Sequence, residues 1–321
     1  MYPSIVADIG GTNARFALVN GRTNDQFTFS DIHILPTCDY PSFSDALRAY
    51  IARLPGLKPK AFCAAIAGPV VGDAVQLTNV NWAFSCKAVA EEFGLARFIA
   101  MNDFAAVAAA AGDIHPEHLI NIKPGRADPH GNKAVFGPGT GLGVAGVVNS
   151  NGKWLPLPSE GGHVNLAPSD AFEADIIKAA MATHGHVSAE VFISGPGLVH
   201  LYQAIAVVQG VTANAFKPSD ITQHALAGTD ELCLLTLNTF CSFIGSFAGN
   251  LALTYGATGG VYMAGGILPR FADFLRDSHF TEKFTAKGAQ KGYVANVPAD
   301  LIVHPEVAFA GAAAWLTQHL G

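Results

Sequence analysis

The sequence predicts an α/β protein built as two lobes, and three observations carry that expectation. Short β-rich runs alternate with stretches of helical spacing along the chain. A hairpin folded around a glycine turn recurs, first at residues 8–13 and again at 137–143. Between them, residues 113–132 are rich in Pro, Gly, His and Asp and read as a connector. The repeated hairpin points to an ancient duplication.

The elements follow in order. Residues 4–8 read as a strand, 10–13 as a turn and 14–19 as a returning strand. Phe43, Ala46, Leu47, Tyr50 and Ile51 share one face of a helix over 41–54. Residues 60–67 form a strand ended by Gly68-Pro69, and 97–101 form another that runs into an alanine-rich helix at 104–111. In the second half, 134–136 and 144–148 flank the glycine turn 137–143. Asp170 and Glu173 have capping-box spacing at the start of a helix. A strand at 261–263 leads through Ala264-Gly265-Gly266 to a helix near 269–276. The last strand, 301–303, precedes Pro305 and Glu306, which suit a first helical turn, and a small-residue helix reaching Leu320. The spacing leaves open which lobe that helix joins.

Composition bounds the function. The 321 residues suffice for two domains with separate cores, and a chain half apolar with 14% charged residues is not a disordered one. Net charge is −6 with no Lys/Arg block, which argues against a nucleic-acid footprint and against a basic membrane-surface helix. The longest unbroken apolar runs, such as 104–111 and 307–316, are too short to cross a bilayer. Asp8 near the N-terminus, with no basic region before it, argues against a signal peptide, so a cytoplasmic location is expected. Cys38, Cys63, Cys86, Cys233 and Cys241 are odd in number and lack CxxC spacing, which reads as reduced core thiols rather than a disulfide framework or zinc site.

The segment Asp8-Ile9-Gly10-Gly11-Thr12-Asn13 is the first with chemical content. Adjacent glycines let backbone N–H groups approach a phosphate, and Asp8 at the strand's end suits a hydrated magnesium ion. An ordinary hairpin turn fits the same residues. The run from Gly137 to Gly143, with Thr140 and Gly141 inside it, repeats the idea. Two such turns gripping a nucleotide mean more than either alone. Within it, Gly141-Leu142-Gly143-Val144-Ala145-Gly146 matches the dinucleotide fingerprint G-x-G-x-x-G, which requires a helix to begin inside the motif. Here the residues that follow read as strand and turn, so a dehydrogenase is rejected, and no G-x-x-x-x-G-K-[ST] is present. Gly265 and Gly266 can admit an adenosine where a side chain would block it, or serve as plain strand-to-helix turn chemistry.

Polar candidates complete the set. Asn102 and Asp103 sit where a strand meets its helix, where a carboxylate can take the proton of a sugar hydroxyl attacking phosphorus, or cap the helix. Glu160 and His163 flank two glycines, and Glu190 follows in the run 186–190; such side chains supply the convergent hydrogen bonds that neutral sugars need. His163 lacks partners at metal-ligand spacing.

With these residues assembled, the chain resembles the bacterial glucokinases of the zinc-free group, within the hexokinase, Hsp70 and actin-like ATPase superfamily. The matching pieces, in order, are DIGGTNAR (8–15), LTNVNWAFS (77–85), NDF (102–104), GPGTGLGVA (137–145), EGGHV (160–164), HVSAE (186–190), SGPGL (194–198) and AGGI (264–267). The resemblance implies a two-lobed actin-like (ribonuclease H-like) fold with a deep interdomain cleft. It implies a small α/β domain of residues 1–110 plus 304–321 and a large one of 111–303, with the sugar between them. It makes Ala7, Asp8, Ile9, Gly10, Gly11 and Thr12 the first ATP segment, with Asn13 adding a donor, and Thr140 and Gly141 the second phosphate turn. It makes Asn102, Asp103, Glu160, His163 and Glu190 the sugar set, with Asp103 as base, ATP and magnesium as cofactors, and a homodimer as the assembly. The related ROK kinases follow EGGH with a cysteine-rich zinc motif; here Val-Asn-Leu-Ala-Pro-Ser-Asp follows, and Asp8 leaves no room for the helix-turn-helix of ROK repressors.

The expected reaction is transfer of the γ-phosphoryl group of ATP to glucose. Two rivals stand beside it: a kinase for another hexose or an N-acetyl amino sugar, and a non-catalytic regulator that binds ATP and sugar.

Overall fold

Five of the six residues from Ser4 to Ile9 are buried, the pattern of a strand covered on both faces in the middle of a sheet. The computed structural model describes residues 3–23, 26–68, 70–77 and 80–320. Pro69, expected to end a strand, and Thr78 and Asn79 of the second matching segment lie outside the described residues. The chain divides into two compact units, Met1–His115 with His304–Gly321, and Pro116–Val303.

In the first unit β1 (Ser4–Ile9), β2 (Asn13–Thr23) and β3 (Gln26–Pro36) form an antiparallel meander. After α1 (Phe43–Ile51) come β4 (Ala61–Ile66) and a small sheet of β5 (Val70–Val71), β6 (Ala74–Gln76) and β7 (Ala83–Ser85). Then α2 (Cys86–Phe93), β8 (Arg97–Asn102) and α3 (Asp103–Ala111) follow. The main sheet runs β3-β2-β1-β4-β8, with β1, β4 and β8 parallel. The apolar face read from residues 41–54 is the one that packs: Phe43, Ala46, Leu47 and Tyr50 are buried.

The second unit repeats the plan. β9 (Leu119–Lys123) precedes the meander β10 (Lys133–Pro138), β11 (Leu142–Ser150) and β12 (Lys153–Ser159). Five helices follow: α4 (Ala171–His184), α5 (Ala189–Phe192), α6 (Gly195–Gln209), α7 (Pro218–Ala227) and α8 (Glu231–Thr254). Then come β13 (Val261–Met263), α9 (Ala272–Asp277), α10 (Phe280–Thr285), α11 (Lys291–Ala295) and β14 (Ala299–Ile302). The sheet order is β12-β11-β10-β13-β14-β9, so its first five strands match the first unit in order and direction. The final helix, α12 (Val307–Leu320), returns to the first unit, where Phe309, Ala312, Ala313 and Leu316 pack with Val6, Ala17, Met101 and Ala105.

The structure corrects several expectations. The presumed connector contains β9, which pairs antiparallel with β14 at the sheet's edge. Strands β3 and β12 were not foreseen; Pro156 and Pro158 make β12 read as loop, yet an edge strand tolerates proline because one side of its backbone needs no ladder partner. Pro305 and Glu306 form a turn before α12 instead of its first helical turn. Asp170 caps α4 by accepting from the Glu173 N–H at 2.8 Å, but the Glu173 carboxylate accepts from Ser169 and not from the cap residue itself. Cys38 is exposed, while the other four thiols are buried. Helix α8 has the length and composition to cross a bilayer, and 78% of its most apolar window is buried as the central helix of the second unit's core.

Helices α3 and α12 cross so closely that a Cβ built on Gly311 would lie 1.7 Å from the Ala106 carbonyl oxygen. Gly311→Ala must therefore push the helices apart. The expected loss is about 2 kcal/mol or more, lowering Tm by roughly 5 °C. A thermal melt unchanged from the parent would show that the crossing is looser than described.

Candidate active site

In the first unit the chemistry gathers at the carboxyl ends of parallel strands, the usual ligand edge of an α/β sheet. Strand β1 ends at Ile9 and β8 ends at Asn102, with β4 between them, so the two ends lie about 10 Å apart in the sheet. The turn after β1 is closed by the Gly10 N–H donating to the Asn13 carbonyl at 2.9 Å. Thr37 donates from its N–H to the Thr12 carbonyl and from its hydroxyl to the Gly11 carbonyl. Those two acceptors, which would repel an anion, are thus already occupied. Thr12 and Asn13 are exposed. Ala7 and Ile9 are buried core residues in the strand, so they support the turn and offer no side chain to a ligand.

Asp8 faces Arg15 across the β1–β2 ladder, with Nη1 and Oδ2 3.5 Å apart. Burial lifts the Asp8 carboxyl above the ordinary carboxylate range, and the Arg15 cation opposes that rise. The Arg15 guanidinium in turn lies over the Phe309 ring of α12, 4.9 Å from its centroid. No group of three or more His, Cys, Asp or Glu is placed to hold a metal ion among the described residues. A single carboxylate beside a phosphate-sized turn suits magnesium, which keeps waters and takes phosphate oxygens rather than an all-protein cage.

At the end of β8 the duties of two neighbours separate. Asn102 is the N-cap: its Oδ1 accepts from the Ala105 N–H at 3.1 Å, and its Nδ2 donates to the Gly68 carbonyl. Asp103 begins the helix and is partly exposed, with Oδ1 accepting from the Phe104 N–H at 2.8 Å. Capping, which competed with acid–base work as a reading of Asp103, falls chiefly to Asn102.

In the second unit the remaining candidates converge. Strands β10 and β13 are parallel neighbours, so the turn at Gly139-Thr140-Gly141 and the turn at Ala264-Gly265-Gly266 share one sheet edge. Gly265 has φ +94°, and a Cβ there would meet the Pro138 carbonyl at 2.9 Å, so the fold itself demands glycine. Gly139 and Gly266 are different. A Cβ on either meets no atom within 4 Å and neither has a positive φ, so packing within the chain gives no reason for glycine at these two positions. The Gly195 N–H, at the start of α6, donates to the Gly139 carbonyl at 2.8 Å and docks that helix on the turn.

Glu190 ties His163 to the turn Gly139-Thr140-Gly141. Its Oε2 accepts from the Leu142 N–H at 2.8 Å and would lie 2.6 Å from any Cβ on Gly141. Its Oε1 stands 4.0 Å from His163 Nδ1. Glu160 and His163 bracket a 3-10 turn over Gly161–His163 and both are exposed. The turn lies flat on β11: a Cβ on Gly162 would fall 2.1 Å from the Leu142 carbonyl oxygen. The His163 carbonyl oxygen lies 3.1 Å from His186 Nε2.

Beside these turns opens a cavity of about 500 Å³, lined among others by Ser194, Gly195, Thr222, Gln223, Ile267 and Arg270. Its α7 wall was missed from the sequence, because that helix carries no motif. The signals that mark it are the Ser194 cap with Pro196 in the first turn of α6 and the glycines before Ile267. The fingerprint-like segment 141–146 lies in strand β11 save for its first residue, and no helix starts within it.

Comparison with known proteins places the chain in a family. The glucokinase family model matches residues 5–319. A glucokinase of Saccharophagus degradans is 57% identical over 318 residues, covering 99% of both chains. The crystal structure of a glucokinase from an Antarctic psychrotroph superposes with a TM-score of 0.93 at 42% identity, covering 99% of both chains. A ROK-family glucokinase from Streptomyces griseus, solved with glucose and AMPPNP, shares the actin-like fold at a TM-score of 0.65 and 19% identity, covering 98% of this chain and 99% of that one. On the family match and on the identity over its full length, the chain belongs to the glucokinase family.

Proposed function

We propose that the protein transfers the γ-phosphoryl group of ATP to the O6 hydroxyl of glucose, giving glucose 6-phosphate and ADP. The observation that carries this reading is Glu190, a single carboxylate that stands beside the sugar candidate His163 and also accepts from the Leu142 N–H that follows the turn Gly139-Thr140-Gly141.

Asn102, Asp103, Glu160, His163 and Glu190 bind the hexose by hydrogen bonds to its hydroxyls. Asp103 is the general base: it orients O6 and accepts its proton as the oxygen attacks phosphorus and ADP departs. The first turn, from Gly10 to Asn13, and the second, with Thr140 and Gly141, present backbone N–H groups to the phosphates. The cavity beside Gly195 and Ile267 takes the adenosine, for which Gly265 and Gly266 leave room. Magnesium, when bound with ATP, neutralises phosphate charge, and Asp8 is the carboxylate that would hold it through water. The reading extends to a homodimer that feeds glycolysis in the cytoplasm. Buried thiols, with no disulfide among the described residues, fit a reducing compartment.

ADP release followed by a coupled assay tests the assignment. Glucose is expected to give the highest kcat/KM in a panel with mannose, fructose and N-acetylglucosamine. Asp103→Ala is expected to lower kcat by about 10²-fold or more with an unchanged melt. Nearly normal turnover in that variant would remove Asp103 from the chemistry.

Asp8 supports a second test with a readout in stability. A carboxyl whose folded-state pKa is raised favours folding below its unfolded pKa, and that contribution is lost as pH rises through the folded value. Above the unfolded value Asp8 is therefore a cost to the fold that an asparagine would not carry. Asp8→Asn is expected to keep or raise Tm at pH 7 while turnover falls about 10²-fold. A lower Tm with unaltered turnover would make Asp8 a structural residue.

A further inference from the structure

We propose that Tyr255 and Ser159 are positioning residues for sugar recognition, acting through a hydrogen-bond relay that fixes the turn at residues 160–163. The inference rests on the reading above that Glu160 and His163 bind the hexose.

Tyr255 stands at the C-terminal cap of α8, and Asn132 Nδ2 donates to its carbonyl at 3.1 Å. Its ring lies against β11 at Gly146, where any Cβ would come within 2.7 Å of a ring carbon. The last glycine of the fingerprint-like segment therefore serves this tyrosine. The ring's placement delivers the Tyr255 hydroxyl to Ser159, where it donates to Oγ at 3.0 Å.

Ser159, the last residue of β12, is a junction with no capacity to spare. Its hydroxyl donates to the Val144 carbonyl at 3.0 Å and accepts from the Gly161 N–H at 3.2 Å as well as from Tyr255. One donor and two acceptor sites are all that a serine hydroxyl has. Glu160 sits between the two anchored residues with φ −102° and ψ 40°, and its side chain makes no capping bond to the 3-10 turn that it precedes. The carboxylate is left exposed, and its aim is set by the backbone on either side, at Ser159 and Gly161. Gly161 has no room to drift toward β11, since a Cβ there would fall 2.8 Å from Val144 Cγ1. Small displacements of a positioned binding group are costly, so this supporting layer bears directly on sugar affinity.

Steady-state kinetics of Tyr255→Phe, Ser159→Ala and Ser159→Thr test the relay. Tyr255→Phe keeps the ring on Gly146 and removes only the hydroxyl, so its melt is expected to stay close to the parent. The expected result in Tyr255→Phe and Ser159→Ala is a glucose KM raised about fivefold with the ATP KM changed by less than about twofold, and near-parental values in Ser159→Thr. Adding Tyr255→Phe to Glu160→Gln is expected to raise the glucose KM no further, because both act through one carboxylate. An unchanged glucose KM in Tyr255→Phe, or glucose and ATP KM values rising by one common factor, would overturn the relay. Glu160→Gln alone separates the two readings. If it leaves the glucose KM unaltered, the assignment of the turn to sugar binding fails and the relay falls with it; if it raises that KM and Tyr255→Phe does not, only the relay fails.

Discussion

One hydrogen bond organises the second unit's chemistry: the Leu142 N–H held by Glu190 Oε2 at 2.8 Å. Buried or half-buried carboxylates accept amide hydrogens more strongly than neutral acceptors do, so this bond can pin a loop that has few contacts of its own. The turn Gly139-Thr140-Gly141 hangs between that anchor and the Gly195 N–H, which donates to the Gly139 carbonyl at its other end. The close approach of Glu190 excludes any side chain at position 141. Sequence, backbone and charge thus agree on a single conformation for the turn.

That constraint keeps two groups of candidate residues in register. Glu190 sits on the short helix α5, which is tied to the end of the turn at 160–163 by the Ala189 N–H donating to the Val164 carbonyl at 2.9 Å. The Ser194 hydroxyl donates to the Glu190 carbonyl and also caps α6, whose N-terminus borders the cavity. The turn at 160–163, the turn at 139–141 and the wall of the cavity are therefore joined by a few short hydrogen bonds within one unit, backed by a core built around α8. The first unit needs less. There the sheet geometry alone sets the ends of β1 and β8 on one edge with β4 between them, and Asn102 takes the capping role beside Asp103.

Much of this was legible in the sequence because the site is built from turns, and turns carry their own signals. The hairpins around residues 10–13 and 137–143, the junction at Asn102 and Asp103, and the strand-to-turn passage at 261–266 were all marked by glycine placement and flanking β-rich runs, although the strands reach further into both hairpin turns, to Asn13, Pro138 and Leu142. The rejection of a dinucleotide fold followed from what comes after Gly143, and β11 is indeed a strand there. What escaped was tertiary in origin. Pro156 and Pro158 look like strand breakers until β12 is known to be an edge. Helix α7 gives no local hint that it walls a cavity, and Tyr255 looks like any aromatic at a helix end until Gly146 is seen beneath it. Cys38 was read as a core thiol because composition does not distinguish one cysteine from another.

Binding of AMPPNP and of glucose to Glu190→Ala, each measured alone by calorimetry, tests the linking role of this carboxylate most directly. If Glu190 holds the phosphate turn, the variant loses affinity for AMPPNP by about tenfold as well as for glucose, since a charge-assisted hydrogen bond to the turn is gone. An unchanged AMPPNP Kd beside a weakened glucose Kd would show that Glu190 serves the sugar only and that the turn is held by something else.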